Sequence, residues 1–389
     1  MRHTVGYDFD AQVLGPTRLI IAADAAATLS TVLAPGASVG VVHGSFPSAL
    51  ALVSTLRERG HSLVDLGRIS PHTPQEEIDT AGDLARRTGV KSIVGVGGGS
   101  IIDAAKLIAL ASVVGDITRY ALEFTPPQQL VLNPLPAELV ASLPAVLAVP
   151  TTAGSASEIS PGAGMRVEQT KLLFSQPALI PSVAVYCPAL VAQAPPQIWY
   201  PSWLSAVARG IEALYCKRRS WLSDAWAFEG LRLLGAAPRD PQPAERLNPD
   251  QARELLAGSL LTGRALGLAG GGVVHAIGHA VGGLTGLPHG IVHAASLRGA
   301  VEGAMRTIPA LQDTFAHALT QLSGKPCATP ALILDELQRL RWKAVEPDWG
   351  KICAASSVVE VALGEPLVMT HPYPVTRALV ESIIGNFWS

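Results

Sequence analysis

The chain has 389 residues, 48% of them hydrophobic, which is long enough for two domains with substantial cores. Its 29 basic and 31 acidic residues leave a net charge of −2 with no like-charge block. That balance gives no electrostatic footprint for nucleic acid or an anionic membrane, and leaves chemistry on a small-molecule substrate as the expectation.

In chain order, the N-terminal stretch MRHTVGYDFDAQVLG lacks the apolar core of a signal peptide, so a cytoplasmic protein is expected. The first 150 residues then alternate β-rich runs (ASVGVVHG, HSLVDLG, KSIVGVGGGS) with helical stretches (SALALVSTLRERG, PQEEIDTAGDLARRTG), the pattern of a parallel sheet with crossover helices. A further strand, AVLAVP, ends at Pro150 after a Pro-rich passage, TPPQQ and NPLPAEL, that reads as a surface loop. From about Tyr200 onward the apolar residues recur at helical spacing. The expected organisation is an α/β domain with a parallel Rossmann-like sheet over residues 1–160 and an all-α domain over 161–389. Cys187, Cys216, Cys327 and Cys353 lie far apart with no CxxC pair, as reduced thiols do.

Within the first region, VGVGGGSIIDAAKLIAL (94–110) is a short apolar strand, three glycines and a helix opening with Ser100. Glycines there let backbone approach a pyrophosphate, and the new helix offers free N–H groups and its positive dipole end. A tight strand-to-helix turn also uses glycine for steric reasons alone, and the spacing is not G-x-G-x-x-G. In the second region HAIGHAVGGLTGLPHGIVHA (275–294) holds four of the ten histidines, with His275 and His279, and His289 and His293, each four apart on one helix face. A metal site, a proton-transfer site and hydrogen-bonded packing all remain open from spacing alone. No Asp, Glu, Lys or Arg occurs between Arg264 and Arg298, so any acidic ligand comes from elsewhere. This uncharged run exceeds membrane-spanning length, but its histidines, glycines and Pro288 place it inside a folded protein.

GGGSIIDAAK resembles the GGGSxxDxAK signature of the iron-containing alcohol dehydrogenase family. PTTAGSASE (150–158) resembles that family's PTTxGTGSE, IEALY (211–215) its HxIEAY helix, and HAIGHAVGG followed by PHG its histidine signature. The resemblance implies a dehydroquinate synthase-like fold, with an NAD(P)-binding α/β domain, a helical domain that carries the metal, and substrate in the cleft between them. It implies that Gly97, Gly98, Gly99 and Ser100 hold the pyrophosphate and that Thr151 and Thr152 line the cofactor cleft. Asp103 and Lys106 share the signature and are assigned to the cofactor, the alternative being a first-turn acid and an exposed helix lysine. After its second strand the family often carries a ribose-selecting acid. Here Gly44 and Ser45 stand at that place, so NADPH and NADH are both expected to be accepted.

The pattern breaks at the metal. Metal-dependent members carry D-x-x-x-H ahead of IEA, and those positions are Ser205 and Arg209. Arginine stays protonated and repels a cation. The chain is similar to the maleylacetate reductase branch, regarded as working without bound metal: LPHGIVH matches its LPHAExH, with Gly290 in place of alanine and Arg209 in place of histidine. The expected function is a metal-independent NAD(P)H reductase of a small carbonyl compound or oxo acid. In it Arg209 polarises the carbonyl or grips a carboxylate, and His279 supplies the proton beside His275, His289 and His293. Against this stand an ordinary ion pair of Arg209 with Glu212, a metal-dependent alcohol dehydrogenase using His275, His289 and His293, and a non-redox lyase, dehydratase or cyclase. A small-molecule substrate and a homodimer are the expected partners.

Overall fold

Seven strands form one sheet in the order β1-β2-β11-β8-β5-β3-β4, parallel except where β1 meets β2. The computed structural model describes residues 9–12, 15–125, 129–131, 133–168, 170–343, 345, 347–353 and 356–388. It divides into two units, the first comprising the chain through Leu122 with Leu132–Thr152 and Ser157–Gln193, the second Glu123–Val131, Ala153–Ala156 and Ala194–Ser389.

The first unit runs β1 (Phe9–Gln12), β2 (Arg18–Ile21), α1 (Ala25–Val32), β3 (Val39–His43), α2 (Pro47–Glu58), β4 (Leu63–Arg68), α3 (Gln75–Thr88), β5 (Ser92–Gly97) and α4 (Gly99–Val114). After the short strands β6 (Glu123–Thr125) and β7 (Gln129–Val131), which group with the second unit, come α5 (Ala137–Ser142), β8 (Ala145–Pro150), β9 (Gly162–Val167), β10 (Thr170–Ser175), β11 (Val183–Tyr186) and α6 (Pro188–Ala192). The central strands are apolar on both faces because each face is covered. Val39, Val41, Val94 and Val96 pack with Leu29, Leu52 and Leu56 of α1 and α2. Their alternates Val42 and Ile93 pack with Ile78, Leu107 and Ile108 of α3 and α4. Each such side chain contributes roughly 1.5–3 kcal/mol on burial.

Two expectations are corrected here. Residues 161–193 do not open the helical domain, because β9 and β10 form a hairpin and β11 inserts between β2 and β8. A four-residue run, VAVY, is too short to announce a central strand, and the unit boundary falls at Gln193 rather than 160. The Pro-rich passage is not a plain loop either: β6 and β7 pair in it and PAEL leads into α5, while Pro126, Pro127 and Gln128 lie outside the described residues.

The second unit is helical apart from β6 and β7: α7 (Pro196–Ala213), α8 (Trp221–Leu234), α9 (Pro249–Ala269), α10 (Val273–Thr285), α11 (His289–Thr307), α12 (Leu311–Ser323), α13 (Pro330–Gln338), α14 (Trp349–Cys353), α15 (Ser356–Leu363) and α16 (Arg377–Gly385). Buried aromatics fix α7: Tyr200 and Trp203 stack at 5.1 Å, and the Trp203 indole donates to the Leu234 carbonyl at 2.8 Å. Between α9 and α10 the chain bends by 108°, and among the described residues no single helix is long and apolar enough to cross a membrane. Cys187, Cys216 and Cys327 are buried free thiols, while the Cys353 side chain lies outside those described.

Candidate active site

In the first unit, β5 runs into Gly97, and Gly98 caps α4 in an extended conformation. A Cβ on Gly97 would meet the Ile101 side chain at 2.5 Å, so packing alone requires that glycine. Gly98 is different. Its φ of −77° suits any residue, and a Cβ there would meet the Thr152 side chain, its hydroxyl at 3.2 Å and its methyl at 3.9 Å. What the missing Gly98 side chain keeps open is approach to the first turn of α4, where Gly98 and Gly99 are half-buried, Ser100 is exposed, and the helix offers N–H groups to an anion. The neighbouring strand ends complete the setting. Thr151 N–H donates to Gly97 O at 3.0 Å, with Thr151 and Thr152 buried, and Gly44 N–H donates to Val96 O at 3.2 Å, which brings Gly44 and Ser45 alongside. The carboxyl ends of β3, β5 and β8 thus gather the expected cofactor residues at one rim, and they fit a dinucleotide pyrophosphate.

Lys106 is not an exposed helix lysine, and Asp103 lies beyond the first turn of α4. Lys106 is fully buried, and its ammonium donates to Ser157 Oγ (3.0 Å), Ser160 O (3.0 Å) and Gly162 O (2.7 Å). Three protons on three acceptors leave none for a cofactor. Burial pushes its pKa down, against the pull of Asp103 and Glu158. The Asp103 carboxylate accepts from Ser157 Oγ and from Gly164 N–H. Acid and base of the signature therefore tie the loop after β8 and the β9–β10 hairpin to α4. Glu158, buried nearby, accepts from the Tyr186 hydroxyl at 2.6 Å.

In the second unit, Ser205, Arg209 and Glu212 follow one face of α7 at spacings of four and three. Arg209, 9% exposed, donates through Nη2 to Ser155 O at 2.7 Å. An ion pair with Glu212 is the alternative reading for this residue. The wholly buried Glu212 carboxylate accepts from His275 Nδ1 at 2.5 Å and Val274 N–H at 2.8 Å. Burial pushes the Glu212 carboxyl up, but the His275 charge and hydrogen bond and the Val274 N–H outweigh it, and the group lies below its usual range. Because a carboxylate only accepts, His275 carries its proton on Nδ1 and presents Nε2.

His293 lies against His275 with ring centroids 4.3 Å apart, and its Nδ1 is 3.3 Å from Ser205 Oγ. It reaches α10 only because residue 278 is glycine, whose absent side chain would overlap the imidazole. Burial, then the charges of His275, His289, His279 and Arg209, push His293 well below the usual imidazole range, so it stays neutral. The Nε2 atoms of His275 and His293 are buried without a protein hydrogen-bond partner, which marks a place where a polar ligand group is received. His289 continues the cluster, 6.1 Å from His293 and 5.4 Å from His279 between centroids. His279, part-exposed, holds Glu365 at 3.1 Å through Nδ1. All four histidines and Arg209 are thus brought together.

Several neighbours had no assignment in the sequence reading. Glu212 stands in a motif and as the alternative partner of Arg209, not as a partner of His275. Glu365 is 86 residues from its histidine and carries no motif at all. His371, fully buried between Tyr215 and Tyr373 with centroid distances of 5.6 and 4.4 Å, has its pKa lowered to about 4, chiefly by burial. Gly290, where the similar branch has alanine, lies so close to the Pro201 carbonyl of α7 that any side chain would displace it.

The donors do not fit a divalent cation. They are three imidazoles and a serine hydroxyl with no carboxylate among them, beside a guanidinium whose charge already reaches His293. Among the described residues no group of three or more His, Cys, Asp or Glu is arranged to hold one.

Residues 16–188 match the family described as iron-containing alcohol dehydrogenase, and residues 202–340 the Fe-containing alcohol dehydrogenase family, C-terminal. The chain is 31% identical over 248 residues to long-chain-alcohol dehydrogenase 1 of Geobacillus thermodenitrificans, covering 63% of this chain and 60% of that one. It is 30% identical over 268 residues to maleylacetate reductase 1 of Rhodococcus opacus, covering 68% and 65%. These matches span less than two thirds of either relative's length. The solved maleylacetate reductase of Agrobacterium tumefaciens superposes with a TM-score of 0.69 at 25% identity, covering 96% of this chain and 97% of that one. With both halves matched in order and the glycine turn and histidine helices folded as the family's motifs require, the chain belongs to the iron-containing alcohol dehydrogenase family.

Proposed function

We propose that the protein is a metal-independent, NAD(P)H-dependent reductase of a small carbonyl compound, with an oxo acid as the preferred substrate class. The observation that carries this reading is Arg209, a guanidinium set into the histidine cluster on the face of α7 where metal-dependent relatives place a ligand. Gly97–Ser100 would hold a reduced nicotinamide dinucleotide, which would supply a hydride when bound. The rest is the work of side chains. As the carbonyl carbon is reduced, negative charge develops on its oxygen, and Arg209 stabilises that charge or grips the substrate carboxylate through parallel N–H bonds. His275 and His293 offer ring nitrogens to the same ligand, and His279 provides the proton that the alkoxide takes up.

The test is a screen of NADH and NADPH oxidation against a panel of carbonyl acids, with metal analysis of protein purified without chelator. Turnover by metal-free protein supports the proposal. Stoichiometric zinc or iron required for activity points to the metal-dependent dehydrogenase. Failure to bind or oxidise either dinucleotide points to a non-redox activity on the same fold.

A further inference from the structure

We infer that Glu365 is a positioning residue that holds His279 in its proton-donating form, so that a segment beyond the matched residues completes the acid of the site. The inference rests on the reductase reading above and adds to it a residue with no motif. Two histidines of the cluster carry carboxylate partners, and their surroundings differ. The His275–Glu212 pair is sealed, with side chains 7% and 0% exposed, while His279 and Glu365 are 20% and 12% exposed. A proton delivered in every turnover must be replaced from water, and only the second pair is open to it.

The carboxylate fixes the chemistry of the ring. Glu365 Oε2 accepts from His279 Nδ1, so Nε2 is the nitrogen that exchanges a proton with substrate. The negative charge also favours the imidazolium. Hydride adds to the carbonyl carbon, the C=O π pair moves to oxygen, and the alkoxide takes the proton from Nε2. Neutral His279, its Nδ1–H still bonded to Glu365, regains a proton from solvent. The groups near His279 include Glu365 before the 3-10 turn Pro366–Thr370 and His289 and His293 on α11. Glu360 of α15 is engaged by Arg377. Glu365 sets a carboxylate against this ring, 12% exposed and within hydrogen-bond distance of Nδ1.

Glu365→Gln keeps the side chain's shape and removes its charge. In the full-length protein the high-pH limb of kcat should move down by about one pH unit, with about a tenfold loss at pH 8 recovered near pH 5. The KM for the dinucleotide should stay unchanged, and Glu365→Asp should restore part of the profile. Proton NMR of the histidine C–H signals should show His279 titrating about one unit lower in the variant, a readout independent of turnover. A folded Glu365→Gln variant with wild-type pH profile and wild-type His279 titration overturns the inference while leaving the reductase reading intact. A wild-type protein without reductase activity removes that reading, and with it the proton donor proposed here.

Discussion

Replacing Arg209 by alanine tests the central residue of the proposed chemistry. Loss of one positioned donor to a developing oxyanion costs about 10² to 10³ in rate, roughly 2.7–4 kcal/mol. The structure separates that effect from damage. Arg209 donates to Ser155 O at 2.7 Å, and loss of that hydrogen bond should lower stability by about 1–3 kcal/mol, visible as a modest drop in Tm. His293 is kept neutral mainly by burial and then by three histidines before Arg209, so its protonation state survives the substitution. Steady-state kinetics of NADPH oxidation should therefore show kcat/KM reduced by about 10² to 10³ in a folded enzyme that still binds dinucleotide. A fall in kcat assigns Arg209 to the carbonyl oxygen, and a rise in KM alone assigns it to the substrate carboxylate. Arg209→Lys should recover only part, because a point charge cannot reproduce the planar fork. Unchanged kcat and KM in folded Arg209→Ala would refute the reasoning.

Gly98→Val should abolish dinucleotide binding while the fold persists, since only the Thr152 side chain stands near the new Cβ. Undiminished affinity by fluorescence titration would make the turn purely structural. Ser205→Asp with Arg209→His should create zinc affinity measurable by calorimetry, because a carboxylate and a third imidazole would join His275 and His289 to make four ligands. No gain in affinity would mean that α7 does not present these positions to the cluster. His371, lowered to about 4 in the fold against an ordinary 6.5, binds its proton more readily when unfolded, so its contribution to stability is full above pH 6.5 and is lost as pH falls towards 4. That loss is about 3 kcal/mol from this residue, and urea titrations at pH 7 and 4.5 should show a shallower difference in His371→Phe. Equal pH sensitivity in the two proteins would count against a buried neutral imidazole.

The features legible in the sequence were those fixed by neighbours along the chain. The glycine turn, the α10 and α11 histidine pairs and the face of α7 follow from helical and strand periods, and the structure keeps all of them. Lys106 was misjudged because its burial is not local. A lysine three residues from Asp103 obeys surface-helix rules until the loop after β8 and the first residue of β9, 51 to 56 residues later, pack across it and supply three acceptors. Glu365 was invisible for the same reason, as nothing near it in sequence indicates a histidine partner.

Arg209 and Glu212 show how tertiary contacts override a local rule within a single helix turn. Spacing of three permits an ion pair, yet a carboxylate with no exposure at all needs its donors at close range, and His275 and Val274 provide them from α10. The guanidinium donates to the Ser155 carbonyl at 2.7 Å. Glu212 thus spends its negative charge on His275 and does not cancel that of Arg209, whose positive field falls on the histidine cluster where an anionic substrate or a developing oxyanion would be received.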